Sequence, residues 1–465
     1  MAKSPPADWK KYPYRPDWGN PRWFQFPRID GHDPELGMAT YYLDGFVRGK
    51  DSGRQYAVMT IFSEMKIVRG MLRVAFHTFA LYDCETGHYG TCTDNDYPLR
   101  LGRGRKFSNA SDHLDIRYDS PRGENSWLSQ RDASGELRPF AWDLDLRGRD
   151  HHGESMELTL SVEAERPPAP LGGRELGGEM MFLGGEETYS YFQSGLTMKG
   201  RVRWRGADEE VEGTVGWIDR QWAVDDFTVY QDVRSTRYRH EWRVLQLDNG
   251  WDMSCFFQYH RHEQNRKVPW SGVSAQGPGP EFEIKATTDV TIEPLSFVKS
   301  PGIVRSFFMI TDGPRWFPHG YRMRVPEWDV DVTATPLVDA PAHHLRIEYW
   351  TGPVRLQGKV FGETVTGYGF DERCRPYVRN FELTEVLRIM ISNREDGTAA
   401  DRRALIYRLS EVEALCLRGD PEVALAYLER RVSPILNTQP GEMQSALEPI
   451  LDDLRLVLRT KAKPR

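Results

Sequence analysis

A carboxylate set between two indoles is the first feature of this 465-residue sequence that could do chemistry. The run from Val211 to Phe227 reads V-E-G-T-V-G-W-I-D-R-Q-W-A-V-D-D-F, and its short apolar and β-branched stretches predict a strand. Side chains on a strand alternate faces, so Trp217, Asp219 and Gln221 share one side while Ile218, Arg220 and Trp222 take the other. An acid fixed beside an indole suits proton chemistry on an apolar substrate. Burial disfavours the charged form and keeps such an acid protonated near neutral pH. Aromatic faces stabilise a cation by roughly 0.5 to 2 kcal/mol each; Trp217, Trp222, Trp242 and Tyr259 could supply them, with a bound water to capture the cation. The same residues admit a structural reading, in which the tryptophans are core and Arg220 holds Asp219 ionised.

Other titratable residues carry weaker signals. His240 and Trp242 share a strand face at period two, which makes His240 a candidate acid or base; a packing role at a strand end is the alternative. His260 and His262 have the H-x-H spacing of a metal pair, but no third ligand is placed near them, so a solvated strand end is expected. His151-His152 sits in a Gly-bounded loop, and Asp225-Asp226 is most simply a solvated turn. No Gly-x-Ser-x-Gly elbow and no dinucleotide fingerprint occurs, leaving hydrolase and nicotinamide chemistry without support.

Composition bounds the partners. Aromatic residues make up 12% of the chain, with 14 Trp, while the mean hydropathy of -0.60 is polar; the rings are therefore expected inside, or around one cavity. A net charge of -7 with pI near 6.0 gives no basic footprint for nucleic acid or an anionic membrane. The basic run Arg100 to Lys106 is flanked by Asp94, Asp96, Asp112 and Asp115 and reads as a solvated loop. The five cysteines are scattered without C-x-x-C, which argues against a disulfide scaffold or a structural zinc site. Neither a signal peptide nor a membrane-spanning run is apparent, so a reducing, cytosolic setting is expected.

The elements that must position Asp219 are mostly strands. Residues 1–30, rich in Pro, Trp and Lys, read as an arm draped over a domain through Trp18, Trp23 and Phe24. Strand-like runs follow at Ala39–Val47, Gln55–Phe62, Val74–Tyr82, Leu114–Tyr118, Phe140–Leu146 and Ser155–Val162, with turn signals at Lys50–Gly53 and Asp132–Gly135. Many short strands at near-regular spacing predict a barrel or sandwich. Pro167–Gly185, with three Gly-Gly pairs, reads as a flexible flap over a cavity. Strand patterns continue to about residue 380, with loops carrying Pro301, Pro314 and Pro318. Beyond, Leu405, Leu409, Val412 and Cys416 recur at helical spacing and stop at Gly419. Asp420-Pro421 starts a second helix to about Val432. A third pattern runs from about Gly441 to Thr460, where Pro449 should kink or split it.

Several segments, in order, resemble the AttH-like and carotenoid 1,2-hydratase family, whose members comprise two lipocalin-like β-domains. The family hallmark is close to G-x-A-W-x-D-R-E-W-G; here Gly213-Thr-Val-Gly216-Trp217-Ile-Asp219-Arg220-Gln-Trp222-Ala223 matches it with one extra residue. Tyr189-Ser-Tyr191 resembles the family's paired-tyrosine strand, and Phe79-Ala80-Leu81-Tyr82-Asp83 its F-A-L-x-D segment. Tyr349-Trp350-Thr351-Gly352-Pro353-Val354 and Gly367–Glu372 resemble its closing strands. Four departures stand out. Ala39-Thr40-Tyr41-Tyr42 lacks the acid of the family's Glu-Trp-Trp-Tyr run. Thr78 stands where a histidine usually precedes F-A-L, with His77 one position earlier. Thr351 replaces a glutamate, and Glu372 is followed by Arg373-Cys374.

The resemblance implies a mainly β fold of two lipocalin-like antiparallel β-domains, at 31–228 and 229–382, with a helical appendage at 383–465. It implies hydration of an isoprenoid or polyene double bond, or a related proton-initiated isomerisation or cyclisation, since similar double-barrel proteins act as Diels–Alder cyclases. No cofactor and no metal is implied, and the partner is a large apolar small molecule. The implied site joins Asp219 and His240 as acid–base groups to Trp217, Trp222, Trp242, Tyr259, Tyr191, Tyr42 and Glu372 as binding residues. The alternative is a non-catalytic carrier of an apolar ligand. The C-terminal helices suit packing or self-association into a homo-oligomer.

Overall fold

The architecture is that of a computed structural model, which describes residues 9–67, 70–96, 106–180, 187–224, 238–260, 266–268, 270–300, 315–339, 342–343, 349–374, 377 and 379–461. Antiparallel pairing builds two curled sheets, of 14 and 11 strands among the described residues. One forms a near-barrel and the other a half-barrel, with helices at the C-terminal end. In each sheet the first strand pairs with both the second and the last, which curls the sheet on itself. Met38–Gly49 lies between Gln55–Ile67 and Ala207–Ala223, and Tyr238–Leu247 lies between Asp252–His260 and Glu363–Cys374.

Period-two alternation divides each strand between two environments. On the inner face of the near-barrel, Tyr41, Leu43, Val58, Phe62, Phe79, Leu81, Ile218 and Trp222 join one core. The half-barrel has its own, with Leu245, Met253, Phe257, Val332 and Leu356. A third apolar cluster draws on both sheets: Tyr42, Phe46, Met59, Ile61, Tyr82, Phe192 and Trp217 meet Trp242, Val244, Phe256, Tyr349 and Phe370. This seam, where the two sheets face each other, is where the aromatic excess becomes informative. Cross-sheet hydrogen bonds hold it, including Gly216 N to Gln246 Oε1 at 3.0 Å and Tyr82 Oη to the Thr351 carbonyl at 3.1 Å.

The N-terminal arm does more than drape. Trp9, Tyr14, Trp18, Trp23, Phe24 and Phe26 are buried in the near-barrel core, with Phe24 against Trp222 and Phe26 against Tyr191 at ring separations of 5.2 and 5.1 Å. The Gly-rich segment expected to be a flap is a packed strap over its described part, 167–180. Ala169 and Leu171 are fully buried at the seam, and Gly172 N donates to Ser274 Oγ of the other sheet at 2.8 Å. Gly184-Gly185, Asp225-Asp226, His262 and Arg100–Arg105 lie outside the described residues.

Several strands were absent from the sequence reading. Tyr89–Asp96 and Gly123–Arg131 extend the first sheet. Thr291–Lys299 and the start of Trp316–Val325 contain Pro294 and Pro318, and so read as loops. Proline is tolerated there because Thr291–Lys299 is the outermost strand of the second sheet. The helix Ala399–Arg418 ends at Gly419 in the left-handed conformation, φ 85°, as its sequence predicts. An earlier helix, Asn380–Ser392, adds to it, and Gly441–Lys461 runs on through Pro449 as one helix. The helical core reaches the half-barrel through Phe297, Trp316 and Tyr377. No helix among the described residues is long and apolar enough to cross a membrane.

Candidate active site

Asp219 sits on the seam face of the strand Ala207–Ala223, opposite Tyr42 in register, with Asp44 opposite Trp217 on the next step. Antiparallel register partners point the same way, so Tyr42, Asp44, Trp217 and Asp219 form one block. The strand carries an extra residue where Phe46–Arg48 faces Val215–Glu212, and the additional residue of the sequence motif falls at this bulge. An added Cβ on Gly213 would come within 2.0 Å of the Phe46 carbonyl oxygen, so only glycine lets the two backbones approach here.

The other sheet supplies an equivalent block. Its first and last strands place Trp242 opposite Glu372, and the neighbouring strand sets Thr351 opposite Glu372. Asp219 and Glu372 therefore occupy matching places on the last strand of each sheet, and each is followed by an arginine that turns to its own sheet's inner face. Trp217 meets Phe370 edge-on at 5.8 Å across the seam. Glu372 receives a hydrogen bond from the Tyr349 hydroxyl, and its Oε1 lies 3.3 Å from His240 Nε2. The Tyr349 hydroxyl is also 3.4 Å from that of Tyr42, which is 3.3 Å from Thr351 Oγ1. A chain of polar groups thus joins the two sheets.

The electrostatics follow from burial. Asp219 is only 8% exposed, and burial, then repulsion from Glu372, pushes its pKa well above the usual carboxylate range. Asp44 is pushed up in the same way by burial, then by Asp219 and Glu372. Among the described residues neither Asp219 Oδ1 nor Asp44 Oδ1 has a hydrogen-bonding partner. The hydroxyls of Tyr42 and Tyr349 are likewise held neutral by burial first and nearby carboxylates second.

Arg220 does not neutralise Asp219. Alternation turns it to the other face, where its guanidinium donates to the carbonyls of Gln221 at 2.8 Å and of Thr40 and Ile29 at 3.3 Å. It also donates to the Tyr41 hydroxyl at 3.2 Å and lies 3.9 Å from that ring's centroid. Its charge acts on Asp30, whose carboxyl burial raises to about 6 against the opposing effects of the Tyr191 hydrogen bond and Arg220. The structural ion pair expected between neighbours Asp219 and Arg220 is thus a pairing of Arg220 with the arm.

The predicted site residues divide accordingly. Asp219, Trp217, Tyr42, His240, Trp242 and Glu372 converge at the seam. Trp222 and Tyr191 do not: they face the near-barrel core, where Trp222 stacks on Tyr189 at 5.8 Å and Tyr191 donates to Asp30 at 2.6 Å. Tyr259 also points away, packing with Phe257 on the half-barrel's inner side. The same alternation that places Asp219 excludes all three. The displaced histidine obeys it as well. His77 turns inward, stacks on Phe62 at 4.2 Å, and is pushed down to about 3 by burial; the seam's imidazole comes from His240 of the other sheet.

Asp44 and Tyr349 were missed as site residues. Asp44 follows Tyr42 by two on a strand and so shares its face, a signal available from the sequence. On the reverse of the Glu372 strands, Glu241, Arg243, Asp371 and Arg373 form a buried ion cluster, with Arg243 donating to Glu241 at 2.6 Å and Arg373 to Asp371 at 2.9 Å. Among the described residues no group of three His, Cys, Asp or Glu is placed to hold a metal ion. A cavity of about 560 Å³ lies at the arm, lined by Arg22, Trp23, Arg28 and His32 among others, and none of the seam residues lines it.

Two curled antiparallel sheets with paired carboxylates at their seam define a double β-domain protein of the lipocalin-like kind. The family model described as AttH-like matches residues 18–372, and the chain belongs to that family. Its fold is similar to that of a protein assigned as AttH from Nitrosomonas europaea. That likeness has a TM-score of 0.53 and 17% identity over 75% of this chain and 96% of the other. It is also similar to kievitone hydratase from Nectria haematococca, with a TM-score of 0.53 and 13% identity over 78% and 98%. No curated protein sequence matches significantly.

Proposed function

We propose that the seam is the active site of a cofactor-independent enzyme that protonates a carbon–carbon double bond of a large apolar substrate of isoprenoid or polyene type. Hydration, or a related isomerisation or cyclisation, completes the reaction. The observation that carries this reading is Asp219: a buried acid beside an indole, with no basic side chain among the described residues to hold it charged. A neutral carboxyl is the donor an isolated alkene needs.

In the hydration, Asp219 gives its proton to one alkene carbon and leaves a cation on the other, facing Trp217 and Trp242. A water oxygen bonds to the cation, and the proton it sheds passes to the Glu372–His240 pair. Tyr349 leads from Glu372 to Tyr42, the cross-strand neighbour of Asp219, by which the proton returns to Asp219; the net change is addition of one water. In an isomerisation the same pair takes a proton from the carbon beside the cation, and in a cyclisation a second double bond captures the cation. That a neighbour of the same fold is named as a hydratase supports the first outcome.

The test is organic extraction and native mass spectrometry of the protein from its own host, followed by incubation of the recovered molecule with wild type and Asp219→Asn. The proposal expects a mass gain of one water, or a new isomer of unchanged mass, with wild type only. An unchanged ligand with both proteins would favour the carrier reading.

A further inference from the structure

One step along the strands from the carboxylates, the seam face changes character. Phe192, Asp219, Tyr42 and Ile61 form one cross-strand row; the next, two residues on, is Ser190, Gln221, Thr40 and Ser63. Beyond Ser190 on its strand lies Thr188. This polar row interrupts an otherwise apolar lining that includes Met38, Met59 and Phe192. Ser190 Oγ, Thr188 Oγ1 and Gln221 Nε2 are buried atoms with no hydrogen-bonding partner among the described residues, and Ser190 and Thr188 are fully buried. Thr40 Oγ1 and Ser63 Oγ lie 3.0 Å apart and serve each other. A polar group buried without a partner is costly, so such groups are retained where something accepts or donates to them. Sheet packing does not need them, because Phe192 and Ile61 in one adjoining row and Ala223, Met38 and Met65 in the other show that apolar side chains fit this face.

We propose that Ser190 and Gln221, with Thr188 one strand step beyond them, are a specificity subsite whose nearer members hydrogen-bond oxygen substituents of the substrate about 7 Å, one two-residue strand step, from the bond that Asp219 protonates. This rests on the seam being the binding site and narrows the substrate class. The molecule is an oxygenated one, bearing hydroxyl or carbonyl groups roughly one ring's length from its reacting double bond, and not a bare hydrocarbon polyene. Gln221 and Thr40 are the partly exposed members of the row, whereas Ser190 and Thr188 are fully buried.

The test uses two matched probe pairs, resveratrol with trans-stilbene and naringenin with flavanone, titrated against the full-length protein by quenching of tryptophan fluorescence. Each pair shares a carbon skeleton and differs only in hydroxyls. Two hydrogen bonds of ordinary strength correspond to about 10-fold in affinity. Wild type is expected to bind at least one hydroxylated probe about 10-fold more tightly than its bare partner. A double variant, Ser190→Ala with Gln221→Met, is expected to reduce that ratio to within about twofold while leaving the bare probe's affinity unchanged. Equal binding of hydroxylated and bare probes by wild type would overturn the subsite while leaving the apolar seam standing. A preference that survives in the double variant would also overturn it, by placing the oxygen-binding groups elsewhere. Failure of all four probes to bind would overturn the subsite and the binding seam together. Circular dichroism and Thr188→Val, a milder substitution in the same patch, separate loss of recognition from loss of folding.

Discussion

Replacing Asp219 with asparagine should make stability less dependent on pH, with a sign that distinguishes a neutral acid from an ionised one. Burial, then Glu372, raises the pKa of Asp219 in the folded protein above its ordinary value of 3.8. Above that value the unfolded chain has released its proton while the folded protein keeps it. Unfolding therefore releases a proton, and stability falls as pH rises by up to about 1.4 kcal/mol per pH unit until the folded group itself ionises. If Asp219 stays protonated through neutrality, wild type loses about 3 kcal/mol from this group between pH 5 and 7. The asparagine variant, close in shape and without a titrating proton, does not. Urea unfolding at several pH values, followed by tryptophan fluorescence, measures the difference. The variant should gain on wild type as pH rises from 5 to 7, by up to about 1.4 kcal/mol per pH unit. A constant difference across that range would refute the reasoning, because it would mean that folding leaves the titration of Asp219 unchanged.

Two further substitutions test the supports around the site. Arg220→Met leaves the buried Asp30 without its cation and should destabilise by about 3 to 5 kcal/mol. The loss should be largest above pH 6 and shrink below it, where the Asp30 carboxyl, raised to about 6, takes up a proton; urea melts at pH 5 and pH 8 measure this. Asp453→Ala removes the acceptor of Trp316 Nε1 at 2.9 Å and of Lys299 Nζ at 2.9 Å. It should cost about 1 to 3 kcal/mol and expose the C-terminal helices to limited proteolysis, with the pH dependence traced to Asp219 unchanged.

Much of this was legible in the sequence because strands obey a strict period of two. That period alone separated Trp217 and Asp219 from Arg220 and Trp222, and the seam and the near-barrel core are those two faces. It also paired His240 with Trp242, which both face the seam. Trp222, Tyr191 and Tyr259 went astray where residue type outweighed the period, since an aromatic ring near an acid in sequence can lie behind the sheet. Asp44 was missed because an acid before Gly45 resembles a turn, although its register with Trp217 makes it part of the site. What no local pattern could supply was the second sheet's position, which brings Glu372 within repelling distance of Asp219. The helix spacing of Leu405 to Cys416 was readable for the same reason as the strands, whereas Pro294 and Pro318 hid two strands, of which only Thr291–Lys299 is the sheet's outermost.

The most direct test of the central claim is the protonation state of Asp219 at neutral pH. Infrared spectra of wild type and Asp219→Asn, each recorded in H2O and in D2O, give a difference in the protonated-carboxyl stretching region. A neutral Asp219 gives a band at pH 7 in wild type that shifts in D2O and is missing in the variant. If the variant instead lost only an ionised-carboxylate band, Asp219 would be charged, and its role as the proton donor would be contradicted.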